Sequence, residues 1–134
     1  MVVSVGNKIR KNMKRDWDVI RDVLIEVEGL DADQRNTFAY GIGHGYDERD
    51  ELKSEHAFML WRGDFLNAID ASTNSARALL SPNLTWEGHD LLETIRSKVV
   101  WERIKSTAKD KGIELTLDAV KALAKVSLNW IIEG

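Results

Sequence analysis

Two runs of strand-type residues, Phe65 to Ala71 and Ala76 to Leu84, flank the turn Ser72-Thr73-Asn74-Ser75 in a chain otherwise patterned for helices. Turn residues of this kind between apolar runs predict a β-hairpin. A hairpin is not stable alone, so the helices around it must cover one of its faces. The second run carries the chain's single proline, Pro82, within Ser81-Pro82-Asn83. This segment is expected to interrupt the strand, because proline belongs at an edge or bulge.

Before the hairpin, Trp17, Ile20, Leu24 and Val27 recur at helical spacing and predict a helix from about Asp16 to Glu28, stopped by Gly29. Asp31 to Asn36 reads as a polar loop, and Thr37 to Tyr40 as a short strand broken off by Gly41, Gly43 and Gly45. Asp47 to Lys53 reads as a short charged helix, with Ser54 capping a second helix over Glu55 to Arg62. After the hairpin, Thr85 is positioned to cap one long helix from Trp86 to about Lys111, striped by Leu91, Leu92, Ile95, Val99 and Ile104 and closed by Gly112. Thr116 opens a last helix with Leu117, Val120, Leu123, Ala124, Leu128 and Ile131 as apolar positions.

A tight helix pair followed by a hairpin is the winged helix-turn-helix arrangement. The expected class is therefore mainly α with a small β-hairpin (α+β), a winged helix-turn-helix with additional C-terminal helices. With 134 residues the chain is one domain long. Residues 1–12 read as a mobile basic arm, and 13–134 as a single winged-helix-like domain with a C-terminal helical extension. The chain has no cysteine, which excludes disulfides and thiolate metal sites. No run approaches the ~20 apolar residues of a membrane span, and the N-terminus has no secretory pattern, so a cytoplasmic location is expected.

Charge is unevenly distributed. Residues 1–15 carry a net +5, residues 16–94 a net −11 and residues 95–134 a net +3. Phosphate is attracted to the basic ends and repelled by the acidic body. DNA-phosphate contacts would come from Lys8, Arg10, Lys11, Lys14 and Arg15 at one end and Lys98, Arg103, Lys105, Lys109 and Lys111 at the other. The helix pair that would read bases carries six acids against three bases between Asp47 and Asp64, where a recognition helix ordinarily presents Arg, Lys, Asn or Gln.

Met13-Lys14-Arg15-Asp16-Trp17-Asp18-Val19-Ile20-Arg21, Leu84-Thr85-Trp86-Glu87-Gly88-His89-Asp90-Leu91-Leu92 and Val100-Trp101-Glu102-Arg103-Ile104-Lys105 resemble three blocks of domain-of-unknown-function family 2513, small proteins often encoded by prophages. The Thr-Trp-Glu-Gly-His block is the specific part. Glu55-His56-Ala57-Phe58-Met59-Leu60 is similar to a second helix-turn-helix helix of that family. The resemblance implies a winged-helix-like fold in a phage or prophage setting, and no particular activity.

No catalytic constellation stands out. His44, His56 and His89 are scattered, which is unsuited to a zinc site. Gly41-Ile42-Gly43-His44-Gly45 is followed by Tyr46-Asp47-Glu48, whose charge would repel phosphate, so a connector is expected there. The chain is read as non-enzymatic and without a cofactor. Of five tryptophans, Trp17, Trp86 and Trp101 fit core stripes, while Trp61 and Trp130 do not. Phe58-Met59-Leu60-Trp61 puts bulk all round its helix, so Phe58, Met59, Trp61 and Arg62 form a candidate partner surface. Leu128, Trp130 and Ile131 form a candidate homodimer contact. Two functions follow: a DNA-binding regulator, or an acidic protein-binding module that uses the winged-helix scaffold without DNA.

Overall fold

In the computed structural model, which describes residues 14–133 and their side chains as far as Asn129, the first helix, α1 (Trp17–Glu28), begins at a side-chain cap. The Asp16 carboxylate accepts from the amides of Asp18 at 3.0 Å and Val19 at 3.4 Å, covering donors that have no intrahelical partner. Trp17, Ile20, Val23, Leu24 and Val27 are buried along one side. The expected arm, residues 1–12, lies outside the described residues, as does Met13.

The supposed polar loop is a short helix, α2 (Ala32–Thr37), closed by a capping box between Asp31 and Gln34. It buries no residue, so it has no apolar stripe for periodicity to detect. The following strand, β1 (Ala39–Gly43), includes two of the glycines expected to break structure. Gly43 sits at φ +110°, and a Cβ there would come 2.6 Å from the Ser75 carbonyl oxygen, so glycine permits the close approach.

The expected helix pair is a single 3-10 turn (Glu48–Asp50) running into one helix, α3 (Glu51–Arg62). No glycine or proline separates the two segments. Ser54 lies inside α3, where its hydroxyl accepts from the Gly41 amide at 3.1 Å and ties the helix to β1. The hairpin is present: β2 (Leu66–Asp70) pairs antiparallel with β3 (Ala76–Leu84), from Leu66 opposite Leu84 to Asp70 opposite Leu79, with an irregularity between Asn67 and Ile69. β1 joins the other side of β3, giving a three-stranded antiparallel sheet in the order β1-β3-β2. β3 continues through Ser81-Pro82-Asn83. Its register with β1 ends at Leu80 and its register with β2 shifts between Leu80 and Asn83, so Pro82 falls at a bulge, where a missing donor interrupts neither ladder.

The single long helix expected from Trp86 to Lys111 is two helices, α4 (Trp86–Ile95) and α5 (Lys98–Lys111). Two side chains account for the break. Ser97 caps α5 at the Val100 amide (3.3 Å), and Arg21 of α1 donates to the carbonyls of Ile95 (2.9 Å) and Arg96 (2.6 Å). The restart changes the helical phase, so Val100 and Trp101 face the core while Val99 is exposed. Trp86, expected in the core, is 80% exposed. Thr85 caps α4 as expected, accepting from the Gly88 amide at 3.0 Å and donating to the Asp64 carbonyl at 2.6 Å. Gly88 packs on the backbone of Phe65, whose oxygen would be 2.1 Å from an added Cβ. The last helix, α6 (Leu117–Glu133), opens on Thr116 and buries Val120, Ala124 and Ser127.

One continuous core draws on α1, α3, β1, β2, β3, α4, α5 and α6. The described chain is thus mixed α and β, with six α-helices and a small antiparallel sheet. Among the described residues no helix is long and apolar enough to cross a membrane.

Candidate functional site

Helix α3 occupies the place in the chain where a recognition helix was expected, and its packing decides what it can offer. It lies against α1 on one side and against β1 and β2 on the other. Ser54, His56, Ala57, Phe58 and Leu60 are buried. Phe58, expected on a partner surface, is therefore a structural residue at 2% exposure, because α1 and the sheet cover both sides of this helix. Met59 and Trp61 are half-buried, Trp61 against the core, and Arg62 is exposed. Leu52, Glu55, Met59 and Arg62 recur at helical spacing and form the more open side of α3. Arg77, the base of the hairpin, is drawn inward. It pairs with Glu55 at 3.2 Å and its guanidinium lies 4.3 Å from the centre of the Phe58 ring.

His56 was not singled out by its sequence context. It is fully buried, and its Nε2 accepts from the Asp16 amide at 2.8 Å. Its Nδ1 lies 2.8 Å from the Leu52 carbonyl oxygen, which assigns the proton to Nδ1 and leaves Nε2 as the acceptor. The imidazole thus fastens the start of α1 to the first turn of α3. His44 lies in the turn after β1, and His89 is exposed on α4. Among the described residues no three His, Cys, Asp or Glu side chains are grouped as metal ligands.

The candidate phosphate ligands are brought together in part. Lys14, Arg15, Lys105 and Lys109 line one open cleft of about 630 Å³ between the start of α1, the end of α5 and the turn that follows it. Lys98 is seven residues before Lys105 and so lies on the same side of α5. Arg103 is half-buried elsewhere on the helix, and Lys111 is exposed in its last turn. Lys8, Arg10 and Lys11 lie outside the described residues. Acids also line the cleft. Lys105 pairs with Asp18 at 2.9 Å and Glu102 at 3.3 Å, and its ammonium lies 5.6 Å from the Trp101 ring centre. Burial opposes ionisation of Asp18, but hydrogen bonds from Lys105 and the Trp101 indole outweigh it and hold the carboxyl below its ordinary range. The same bond, donated to Asp18, pushes Lys105 upward. Arg15 lies over the Trp17 ring and donates to the Leu115 carbonyl, which also accepts from the Trp17 indole at 2.6 Å.

A second concavity sits on the acidic side. Glu26, Phe38, Tyr40, Tyr46, Asp47 and Asp50 line a pocket of about 180 Å³, with Lys53 at its wall. The Tyr40 hydroxyl donates to Glu26 at 2.6 Å, and Lys53 approaches the other oxygen of that carboxylate at 3.4 Å. Burial and the bond to Glu26 push the Tyr40 phenol well above its ordinary value. An adjoining concavity is lined by Tyr46, Asp47, Glu48 and Glu51. The sequence named the acids here only as a reason against phosphate, and it gave no sign that Phe38 and Tyr40 would face them.

At the other end of the molecule, Leu128 of the candidate dimer contact is half-exposed, with Val126 also open. The side chains of Trp130 and Ile131 lie outside those described.

Residues 14–114 match the family described as "Hypothetical protein (DUF2513)". The chain is 35% identical to an uncharacterized protein of Haemophilus influenzae over 120 residues, covering 90% of this chain and 99% of that protein. No solved structure matches it. With three-quarters of its length inside the family match, the chain belongs to the DUF2513 family.

Proposed function

We propose that the chain is a non-catalytic winged-helix protein that binds a protein partner through its acidic body. The order α1, α2, β1, 3-10 turn, α3, β2, β3 and the sheet order β1-β3-β2 support a winged-helix scaffold with α2 added after α1 and the helix before α3 reduced to a 3-10 turn. The observation that carries the reading is the burial of α3. The helix that would enter a DNA groove packs on α1 and the sheet, and the side it leaves open offers Leu52, Glu55, Met59 and Arg62 beside an acidic turn. That surface repels phosphate and suits a partner with basic and apolar side chains. In the phage-type setting implied by the family resemblance, the partner is a host protein. The test is a mobility-shift titration of the unmodified protein with random duplex DNA at low salt. No shift at micromolar protein is expected, and a salt-sensitive shift overturns the reading.

A second reading has its own observation. Lys14, Arg15, Lys105 and Lys109 share one cleft, which suits a phosphate backbone without base reading. If duplex DNA binds, Lys105→Glu with Lys109→Glu is expected to weaken binding to all sequences alike; unchanged affinity removes the cleft from the interface. The half-exposed Leu128 and open Val126 further support a homodimer through α6.

A further inference from the structure

We infer that the pocket bounded by Phe38, Tyr40 and Tyr46 receives an arginine side chain from a basic segment of the protein partner; the inference rests on the protein-binding reading above. The pocket is built by the chain around it. Gly41 leaves room for Tyr46, whose ring atoms would lie 2.3 Å from an added Cβ, so the ring occupies the space a side chain would take. The Tyr46 amide donates to the Gly43 carbonyl at 3.1 Å, fixing the turn that returns the ring over β1. Phe38 and Tyr40 meet edge to face at 5.0 Å. Phe38, just before β1, and Tyr46 in the turn thus give two half-buried aromatic walls, and Tyr40, buried in the core, gives the floor.

Size and charge select the occupant. The pocket, about 180 Å³ and open on one side, admits a guanidinium and the methylenes behind it. The pocket is lined by Glu26, Asp47 and Asp50 with Lys53 at its wall, and the adjoining concavity adds Glu48 and Glu51. A guanidinium is planar, stacks on aromatic faces and pairs with carboxylates through two donors at once, whereas an ammonium presents only a compact point charge. The site already displays that pairing. Arg49 bonds Asp47 through Nε at 3.2 and 3.1 Å and through Nη2 at 2.7 Å. The Arg49 side chain is 87% exposed, and so open a pair is held weakly enough to be exchanged for an incoming arginine. Lys53 stays with Glu26 at the pocket wall, while Asp50 also lines the pocket and its charge acts on Arg49 of the same turn.

The experiment follows the backbone amides of the full chain by nuclear magnetic resonance during titration with a nona-arginine peptide and, separately, with N-acetylargininamide. The peptide is expected to shift residues 38–54 selectively. Its affinity should fall about tenfold or more in Asp47→Asn with Asp50→Asn, and also in Tyr46→Ala, which keeps the charge. Near-ultraviolet circular dichroism establishes that each variant is folded, and the isosteric asparagines keep the test valid if Tyr46→Ala is not. Shifts spread over the acidic surface, including Glu87 and Asp90, with no loss in the variants overturn the inference while leaving the protein-binding reading intact. Binding of N-acetylargininamide without binding of the peptide overturns it as well, because the pocket then serves a small guanidine rather than a polypeptide. The duplex titration above tests the broader reading separately.

Discussion

Helices α3 and α6 resolve their surplus of apolar residues in opposite ways. In sequence both carry more than one stripe can use: Phe58 to Trp61 in α3, and Trp130 and Ile132 beside the Leu117, Val120, Ala124, Leu128, Ile131 stripe in α6. α3 is enclosed by α1 and the sheet, and it buries two polar groups as well, Ser54 and His56. Each has a partner, as a polar group at that depth requires. α6 packs chiefly on α5 and leaves Val126 64% and Leu128 50% exposed. Apolar excess on a helix therefore has two meanings: in the middle of the fold it joins layers, and at the end it leaves a surface.

The comparison is most exposed at Phe58. If α3 joins layers, Phe58→Ala leaves a cavity between α3 and its neighbours and lowers unfolding free energy by about 3–5 kcal/mol in urea. A loss below about 1 kcal/mol would return Phe58 to the surface role its sequence suggested. His56→Ala is expected to cost less, about 2–3 kcal/mol, chiefly through the Asp16 amide left without its acceptor, with the imidazole bond to the Leu52 carbonyl lost as well. Because one of these groups lies at the head of α1, amide exchange there should accelerate beyond the global change. Uniform acceleration across the chain would show that His56 does not fasten that end.

These two residues mark where sequence reading stopped. The hairpin, the Asp16-led first helix, the Thr85 and Thr116 caps and the Gly112 stop were legible because each depends on local chemistry. The break between α4 and α5 was not, since its cause includes Arg21, more than seventy residues earlier. Without that break the stripe runs on through Val99; Trp86 is a separate error, since it lies off the Gly88, Leu91, Leu92, Ile95 face of α4. α3 was misread for a related reason: four bulky residues in a row do not say whether one side or two will be covered. The basic cleft was half legible, because spacing puts Lys98, Lys105 and Lys109 on one side of α5, but only folding brings Lys14 and Arg15 to them. The aromatic pocket was invisible. Its walls come from α1, β1, the acidic turn and α3, and no spacing rule connects Glu26 to Tyr40 or Tyr46.

A smaller effect tests how α1 is held at its other contact, with α5. The Asp18 carboxyl lies below its ordinary range in the folded chain, so its contribution is present above the unfolded value near pH 4 and is lost as pH falls through the folded value. The Asp18 side chain is 57% exposed, and solvent screening keeps the contribution under about 1 kcal/mol. Asp18→Asn should therefore be slightly less stable than the parent at pH 7, and the two should converge below about pH 3. A gap that persists in acid would assign the loss to the Trp101 hydrogen bond rather than to charge.

The smallest expected change in intrinsic stability is at α6, and there assembly is the informative readout. Leu128 is half-exposed and Val126 more so, hence replacing either with aspartate removes little that the folded chain itself uses. The unfolding free energy of the monomer should move by no more than about 0.5 kcal/mol, as for other open surface positions. A dimer responds differently. A two-fold contact duplicates every residue it contains, so one Leu128→Asp substitution puts two carboxylates into the same covered patch. Each loses water there unless it finds a partner, and the assembly is weakened far more than the fold. Sedimentation of the intact chain at micromolar concentration should give the dimer mass, and Leu128→Asp with Val126→Asp should give the monomer mass with an unaltered circular dichroism spectrum. The apparent stability of the intact chain should also rise with its concentration, while that of the variant should not. A monomer mass for the intact chain breaks the contrast with α3: the exposed side of α6 would then be ordinary surface, and the only helix of the pair whose apolar surplus has a use would be the buried one.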